Sequence, residues 1–326
     1  MNVIDTTEGF LEQHAGCVAT IGKFDGVHLG HQQIVSQLLE KSRQYSVPSV
    51  VIVIEPHPEE FFAADPRDCP PRLSEAEEKV NLLRELGVST VFLLRIDRAL
   101  CQLSPQDYIE QILVAGLNVR CLIVGNDFRF GHQRSGDYAL LQEYGNRAGF
   151  EVLETSSCLY RGVRVSSTYI REQLAAADFT AVAGALGRPY AIAGTVIRGK
   201  QLGRSLGFPT CNLALNRRNI PLHGVYACDV QIVSPQGETL SATGAANIGY
   251  RPTVDHNGAA MLEVHLLDFD RDIYGAWVSV VFRQRIRPEQ KFASLEELTG
   301  QISRDIEQVR EYFAGANTNN LNDQRK

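Results

Sequence analysis

The sequence GKFDGVHLGH at residues 22–31 follows a short apolar run at 18–21 and leads into an amphipathic segment at 31–44. The apolar run is typical of a buried strand, and the segment has the apolar spacing of a helix with one inward face. Glycines let the backbone approach phosphate oxygens closely, and a helix start offers unpaired N–H groups. The stretch therefore predicts a strand-to-helix turn that binds an anionic group.

The same alternation continues through the first half of the chain. Further apolar runs predict strands at 50–54, 91–96 and 121–124. The segment 74–86 predicts a helix, Ser74 with Glu77 has the pattern of a capping box, and Ser104-Pro105 predicts another helix start. Regular alternation of strands and helices predicts an α/β fold, with a parallel sheet wrapped by helices.

After about residue 188 the pattern changes to alternating apolar and polar residues. Strands are predicted at 192–198, 225–233, 261–267 and 276–282. This indicates an antiparallel barrel or sandwich. A closing helix is predicted from Ser294, with Glu297 in capping-box position. Its apolar side is formed by Leu295, Leu298, Ile302, Ile306 and Val309. Residues 314–326 are polar and lack periodicity, so we expect them to be disordered.

Composition narrows the class of protein. The chain has 326 residues, which favours two domains, and a formal net charge of −6, which argues against nonspecific nucleic-acid binding. No run is long enough to span a bilayer, and the start lacks the pattern of a signal peptide. The seven cysteines are scattered without metal-binding spacing. We expect a cytoplasmic protein with reduced thiols and no membrane partner.

His28 and His31 in the first turn form the HxGH signature of nucleotidylyl transferases. Three residues apart at a helix start, they can point the same way and donate hydrogen bonds to a triphosphate. The alternative is a metal pair completed by His57, but no cysteine or acidic cluster supplies the remaining ligands.

Two later segments are predicted at the same edge of the sheet, because ligands gather beyond the carboxyl ends of parallel strands. Asp127 lies in GNDFRFG at 125–131, and Ser166 and Arg171 lie in VSSTYIR at 165–171. Hydroxyl groups and an arginine at a helix start favour an anion site. Ordinary helix capping by Ser166 or Ser167 and a turn-forming role for Asp127 remain open.

A second candidate site lies in the other half of the chain. Residues 179–228 contain no Asp or Glu but six Lys or Arg, which suits a polyphosphate surface. GTVIRGK at 194–200 imitates a P-loop, but Gln201 replaces the magnesium-binding Ser or Thr and no helix follows. Thr210 and Asn212 supply hard oxygen ligands suited to Mg²⁺, although a turn with a Thr at the start of a strand remains open. Glu263, between apolar neighbours on a strand, is the best candidate base for phosphorylating an alcohol, although an exposed strand carboxylate remains open.

These motifs, together with PHP at 56–58, GRSLGFPTCN ending at 212, NIGYRPT at 247–253 and EVHLLDFDRDIYG from 263, closely resemble the prokaryotic bifunctional riboflavin kinase/FMN adenylyltransferase family. The resemblance implies a Rossmann-like FMN adenylyltransferase domain at 1–187 and a β-barrel riboflavin kinase domain with a C-terminal helix at 188–313. It implies riboflavin, FMN, FAD and ATP as partners, with Mg²⁺ accompanying ATP. A weak homo-oligomer is left open.

The resemblance also implies site residues. His28, His31 and Glu263 are expected to be catalytic, and Thr210 and Asn212 are expected to bind magnesium. Flavin contacts are expected from His57, Pro58 and Asn247. Nucleotide contacts are expected from Gly22, Phe24, Asp25, Gly26, His28, Gly30, His31, Asp127, Ser166, Thr168, Arg171, Gly199, Gly203, Arg204, Gly207 and Pro209.

The chain departs from the family pattern at Ile54, often Phe, at Tyr169, often Arg, and at Cys211, usually Ala. Two other functions fit the sequence less well. One is a single-activity nucleotidylyltransferase with a flavin-binding regulatory barrel, which kinase assays on residues 188–326 would distinguish. The other is a flavin-sensing protein, which turnover of ATP with riboflavin would exclude.

Overall fold

The computed structural model describes residues 1–65, 68–199, 202–213, 215, 219–250 and 260–323. It divides the chain into two compact units: one of Met1–Pro70 and Ser74–Tyr169, the other of Pro71–Leu73 and Ile170–Lys326. The domain boundary after residue 187 stays a prediction. Phe179, before that boundary, packs edge-on against Tyr226 within the second unit, at 5.9 Å between ring centroids.

A parallel sheet forms the centre of the first unit. Its strands are β1 (Asn2–Ile4), β2 (Cys17–Gly22), β3 (Ser49–Glu55), β4 (Thr90–Arg95), β5 (Val119–Val124) and β6 (Glu151–Glu154). Their order is β1-β4-β3-β2-β5-β6, with every neighbouring pair parallel. The predicted parallel sheet is confirmed. The edge strands β1 and β6 were not predicted from the sequence, because they are short and lack a buried apolar run.

Helices and short elements surround this sheet. They are α1 (Phe10–Gln13), α2 (Leu29–Tyr45), α3 (Pro58–Phe62), α4 (Ala76–Glu85), α5 (Arg98–Gln102), α6 (Pro105–Tyr108) continued by a π-helical segment (Ile109–Gly116), a 3-10 turn (His132–Arg134), α7 (Tyr138–Ala148), and the hairpin of β7 (Leu159–Tyr160) and β8 (Val163–Arg164). Helix α8 (Ser167–Ala175) begins in this unit, and its residues from Ile170 onward belong to the second. Val35 and Leu38 of α2 and Leu83 of α4 are buried on one face of the sheet, as the periodicity predicts.

The predicted cap at Ser104 is confirmed, because its Oγ accepts a hydrogen bond from the N–H of Asp107 and Pro105 opens the helix. The capping box predicted at Ser74 is wrong. The box of α4 is formed one residue later, by Glu75 and Glu78. Ser74 instead serves a tertiary contact, described below.

The second unit contains a closed antiparallel barrel. Its strands are β9 (Ala191–Ile197), β10 (Cys211–Leu213), β11 (Gly224–Val233), β12 (Thr239–Tyr250), β13 (Ala260–Leu266) and β14 (Trp277–Arg287), and its helices are α9 (Phe179–Leu186), α10 (Leu202–Ser205) and α11 (Leu295–Asp323). The strand order is β10-β13-β12-β11-β14-β9. The short strand β10 pairs with both β13 and β9 and so closes the barrel, which excludes a sandwich.

Helix α11 closes over the outside of the barrel. Ser294 Oγ accepts from the N–H of Glu297, as predicted, and Val309 is fully buried against Ala227 and Leu267. Leu295, expected on the apolar side, is exposed. The helix continues to Asp323, through residues expected to be disordered, because extending a nucleated helix costs little per residue. Residues 324–326 lie outside the described part of the chain.

A buried ion pair joins α11 to the end of β14. The N–H of Arg287 Nε is shared between the two carboxylate oxygens of Asp305, each at 2.9 Å, and Gln301 donates a further hydrogen bond at 2.8 Å. The side chains of Asp305 and Arg287 are only 5% and 16% exposed. Removing one partner of such a pair leaves a buried charge without compensation.

We therefore expect Asp305→Ala to lower the free energy of unfolding of the barrel by about 3–5 kcal/mol. Urea unfolding followed by the fluorescence of Trp277, the only tryptophan, reports on this unit. The control is Asp268→Ala, which removes an exposed ion pair with Arg310 on the same helix and should change little. Equal destabilisation by the two variants would contradict the assignment.

Candidate active sites

The first candidate site lies where neighbouring strands of the parallel sheet end. β2 pairs with β3 on one side and with β5 on the other, so the direction in which successive strands are added reverses at β2. Ligands of open α/β sheets bind at such a switch point, beyond the carboxyl ends of the strands. Gly22, at the end of β2, opens the turn 22–31, and Gly125-Asn126-Asp127 follows β5. The predicted common edge is therefore formed.

The turn 22–31 has an unusual backbone that its surroundings hold in place. Phe24 and Val27 have positive φ angles of 51° and 40°, which L-residues seldom adopt. The buried carboxylate of Asp25 accepts from the N–H of Ser74 at 3.1 Å, and Ser74 Oγ accepts from the N–H of Gly26 at 2.8 Å. Asp25, predicted to bind nucleotide, is thus engaged in fixing the shape of the turn.

His28 and His31 come together at the start of α2. His28 Nδ1 accepts a hydrogen bond from the N–H of His31, and the two rings stack with centroids 3.7 Å apart at 14°. A Cβ atom at residue 30 would lie 3.1 Å from the His28 ring, so the glycine allows this packing. Within the described part of the chain, the buried Nδ1 of His31 has no hydrogen-bond partner.

The environment keeps His31 neutral. Burial, and then the nearby charges of His28, Lys79 and Lys23, hold the pKa of His31 well below its usual range. At neutral pH this ring carries one N–H donor and one acceptor nitrogen. Two imidazoles at the positive end of a helix are suited to hydrogen bonding with phosphate oxygens.

The start of α8 is anchored to the same turn. Ser166 Oγ accepts from the N–H of Tyr169, so the capping role is observed, and Ser167 Oγ donates to the carbonyl of Asp25 at 3.0 Å. Thr168 is exposed in the first turn of this helix. The structure therefore brings Ser166 and Thr168 to the edge where sequence predicted them.

Two other predicted residues have partners of their own. Asp127 forms an exposed ion pair with Arg164 at 3.2 Å. Arg171 belongs to the second unit, where its Nε donates to the carbonyl of Pro71 at 2.6 Å. The metal-pair alternative gains no support, because no cluster of three or more His, Cys, Asp or Glu suited to a metal occurs among the described residues.

Sequence analysis missed a buried lysine at this edge. Lys79 of α4 is 1% exposed, and its Nζ lies 2.6 Å from Glu55 Oε1 and 2.7 Å from His57 Nε2. Glu55 ends β3, and His57 and Pro58 begin α3. A signal was available: Lys79 precedes Leu83 by four residues, so both lie on the inward face of the helix.

The second candidate site is a row of side chains across four strands of the barrel. Asn212 is paired with Glu263, Glu263 with Asn247, and Asn247 with Val225. Directly opposed residues on neighbouring strands share one face of the sheet. The residues next to them along each strand point to the other face and are buried, among them Leu262 and Val264 on either side of Glu263 and Ala246 before Asn247. The three polar side chains therefore share a face that sequence alone could not identify.

A cavity of about 400 Å³ opens over this row. It is lined by Thr210, Asn212, Asn247, Glu263, Ile302 and Ile306, the last two from α11. A neighbouring cavity of about 300 Å³ is lined by Arg204, Pro209, Thr210, Asp270 and Tyr274. Thr210 belongs to both walls, so the two cavities adjoin there. Both volumes are in the range of small-ligand sites.

Asn212 has the surroundings expected of a cation ligand. Its side chain is 5% exposed, and its Oδ1 has no hydrogen-bond partner within the described residues. Buried polar atoms of proteins are normally satisfied, so this oxygen points to a missing partner. A Cβ atom at residue 199 would lie 2.6 Å from the Asn212 amide, so Gly199 is needed for it to fit.

The other residues of this half that were predicted to contact the nucleotide precede Thr210 and Asn212 in the chain. Gly203 and Arg204 are in α10, so the expectation that no helix follows the P-loop-like segment is wrong, although α10 has only four residues. Gly207, with φ of 86°, ends the following turn. The cations Lys200, Arg217 and Arg218 of the acid-free window, and residues 251–253 of the NIGYRPT motif, lie outside the described part of the chain. Within the described part, no helix is long and apolar enough to cross a bilayer.

Comparison with known families gives a match for each half. Residues 10–169 match the family model of FAD synthetase, and residues 186–313 match that of riboflavin kinase. The chain is 46% identical to a bifunctional riboflavin kinase/FMN adenylyltransferase of Pseudomonas fluorescens, over 95% of this chain and 97% of the relative. It is 45% identical to the protein of that description in Escherichia coli K12, over 91% and 93%.

A solved structure also resembles the chain. It is described as a macrolide-efflux protein from Streptococcus pneumoniae and matches with a TM-score of 0.75 and 27% sequence identity, over 94% of this chain and 98% of its own.

Proposed function

The chain belongs to the family of bifunctional riboflavin kinase/FMN adenylyltransferases, and we propose that it carries out its two reactions at separate sites, one at the carboxyl edge of the parallel sheet and one on the outer face of the barrel. It phosphorylates riboflavin to FMN and adenylylates FMN to FAD, using ATP in both steps. The observation that carries the proposal is that each unit holds its own convergent polar group: the stacked histidines in one and the Asn212–Glu263–Asn247 row in the other.

In the first unit, His28 and His31 bind the phosphates of ATP and stabilise the charge that develops as pyrophosphate leaves. The N-terminus of α2 and the glycines of the turn 22–31 add backbone donors to the same group. Ser166 and Thr168 extend the nucleotide site, because α8 is anchored to this turn through Ser167. Asp127, Arg171, His57 and Pro58 are proposed contacts on the strength of their motifs. Catalysis here is positioning plus charge stabilisation of an in-line transfer.

In the second unit, Glu263 accepts the proton of the ribityl hydroxyl as it attacks the γ-phosphate. Asn247, beside it on the same face, binds the flavin. ATP lies along Gly199, Gly203, Arg204, Gly207 and Pro209, toward the smaller cavity that contains Arg204 and Pro209.

Mg²⁺ fits the oxygens of Thr210 and Asn212, since the buried Asn212 Oδ1 is unpartnered within the described residues. When bound, the ion would neutralise phosphate charge. The chain's own task there is to hold the amide oxygen and the hydroxyl in place.

We expect Asn212→Ala to raise the Mg²⁺ concentration needed for half-maximal FMN formation at least about tenfold, because a ligand to the metal is lost. FAD formation from FMN should not change. Magnesium titrations of both reactions on the same preparation measure this. Cys211→Ala is the matched control, because Cys211 is the adjacent residue and packs on the opposite side of β10. A magnesium dependence unchanged from wild type in Asn212→Ala would argue against this metal site.

We further propose that the protein acts in the cytoplasm. The cysteines are free in the structure, which agrees with a reducing compartment. A weak homo-oligomer stays a prediction, to be checked by light scattering over a range of concentrations.

A further inference from the structure

Lys79 has no part in the chemistry described so far, yet it is among the most buried charged residues of the first unit. Its side chain is 1% exposed on the inward face of α4, with a salt bridge of 2.6 Å to Glu55. Buried ion pairs contribute little net stability, since desolvation offsets their attraction. Stability alone therefore explains poorly why a lysine occupies this position.

The location of the pair suggests another role. Glu55 is the last residue of β3, and β3 lies beside β2, whose end carries the turn with His28 and His31. Lys79 thus brings a positive charge from the helix layer to the ligand edge of the sheet. Glu55 holds that charge in one place.

The ammonium group also holds the ring of His57 in place. Nζ lies 2.7 Å from His57 Nε2, and an ammonium can only donate a hydrogen bond. The Nε2 atom is therefore the acceptor of this hydrogen bond, which holds the ring in one orientation. Because His57 is the N-cap residue of α3, and its carbonyl accepts from the N–H groups of Glu60 and Phe61, the contact fixes both the ring and the beginning of the helix that follows β3.

The same charge acts on His31. The groups that face His31 are His28 at the start of its own helix, Lys79 from α4 and Lys23 from the turn, and each disfavours its protonation in addition to burial. Lys23 is 41% exposed and paired with Glu59, so solvent and Glu59 weaken its effect. Lys79 is buried, so its charge is screened less.

We propose that Lys79 is a positioning residue for FMN adenylylation, holding His57 in place at the sheet edge and keeping a fixed positive charge at the edge that carries His31. The inference rests on the proposed role of His28 and His31 in binding the nucleotide phosphates. With Lys79 in place, His31 meets the substrate as a neutral ring of fixed hydrogen-bonding pattern, and the segment after β3 is ordered before substrate arrives. Lys79 itself does not contact the reacting atoms.

The test compares Lys79→Met with wild type in the full chain, measuring FAD formation from FMN and ATP across pH and FMN formation from riboflavin as an internal control. We expect kcat/KM for FAD formation to fall about a hundredfold, because misplacement of catalytic groups by about 1 Å has costs of this size. FMN formation should be unchanged. Since the positive charge lowers the pKa of His31, its removal should move the acid limb of the pH profile toward higher pH.

Three further variants make the result decisive. Lys79→Arg keeps the charge and should keep the acid limb of wild type. Lys41→Met removes a lysine paired with Glu151 in the same unit and should leave both activities intact. If Lys79→Met leaves Glu55 buried without its partner and does not fold, Glu55→Gln/Lys79→Met replaces it and should show the same selective loss of FAD formation.

The proposal would be overturned if Lys79→Met formed FAD with the kcat/KM of wild type and with the acid limb of its pH profile unchanged. It would also be overturned if folded Lys79→Met lost FAD formation and FMN formation to the same extent. His28→Asn separates this failure from failure of the site itself. If His28→Asn is inactive in FAD formation while Lys79→Met is normal, only the role of Lys79 is refuted. If His28→Asn forms FAD normally, the proposed nucleotide site is refuted with it.

Discussion

Glu263→Gln should abolish FMN formation and leave FAD formation from added FMN intact. Glutamine keeps the size of the side chain and its place opposite Asn212 and Asn247, but it cannot accept the hydroxyl proton. Loss of a general base typically lowers kcat by about 10²–10⁴. Separate assays with riboflavin and with FMN, resolved by chromatography, measure the two activities.

The matched control for this variant is Asp229→Asn. Asp229 is a partly exposed carboxylate of the same barrel, paired with Arg283, and neither residue lines either cavity. It should retain both activities. If Glu263→Gln kept a kcat for FMN formation within a few fold of wild type, Glu263 could not be the base, and Asn212 and Asn247 would be left as a binding row only.

His28→Asn should have the opposite effect, loss of FAD formation with FMN formation spared. Asparagine is a good N-cap residue, so the hydrogen bond from the N–H of His31 can be preserved and α2 should still begin at Leu29. What is lost is a ring donor to the triphosphate and the stacking partner of His31. Removing one such donor costs about 10²–10³ in kcat.

His14→Asn serves as its control. His14 precedes β2 and therefore lies at the end of the strand away from the turn 22–31. Both activities should survive this change. Equal loss of both activities in folded His28→Asn would contradict two separate sites, because it would mean that one set of residues serves both reactions.

Much of the architecture follows from the sequence because it depends on local periodicity. Short apolar runs without charge, alternating with amphipathic segments, predicted the parallel sheet and its helices. The alternation of apolar and polar residues after residue 188 predicted antiparallel strands. The HxGH turn is equally local, because its glycines and histidines lie within ten consecutive residues and need no distant segment to bring them together. Elements without a strong period, such as β1, β10 and the Gly- and Ala-rich β12, were missed for the same reason.

The tertiary structure alone decided which distant residues meet. Whether Asn212, Glu263 and Asn247 share a face depends on the register of three strands, and a shift by one residue would move each to the other side. Ser74 was predicted to cap α4, but its contacts with Asp25 and Gly26 come from a segment nearly fifty residues away. In the sequence, Lys79 looks like a surface charge. In the structure its side chain is buried beside the end of β3, and a buried charge needs a partner, which Glu55 provides. Local pattern fixes what each segment becomes, whereas register and packing, which are set by the whole chain at once, fix what each side chain touches.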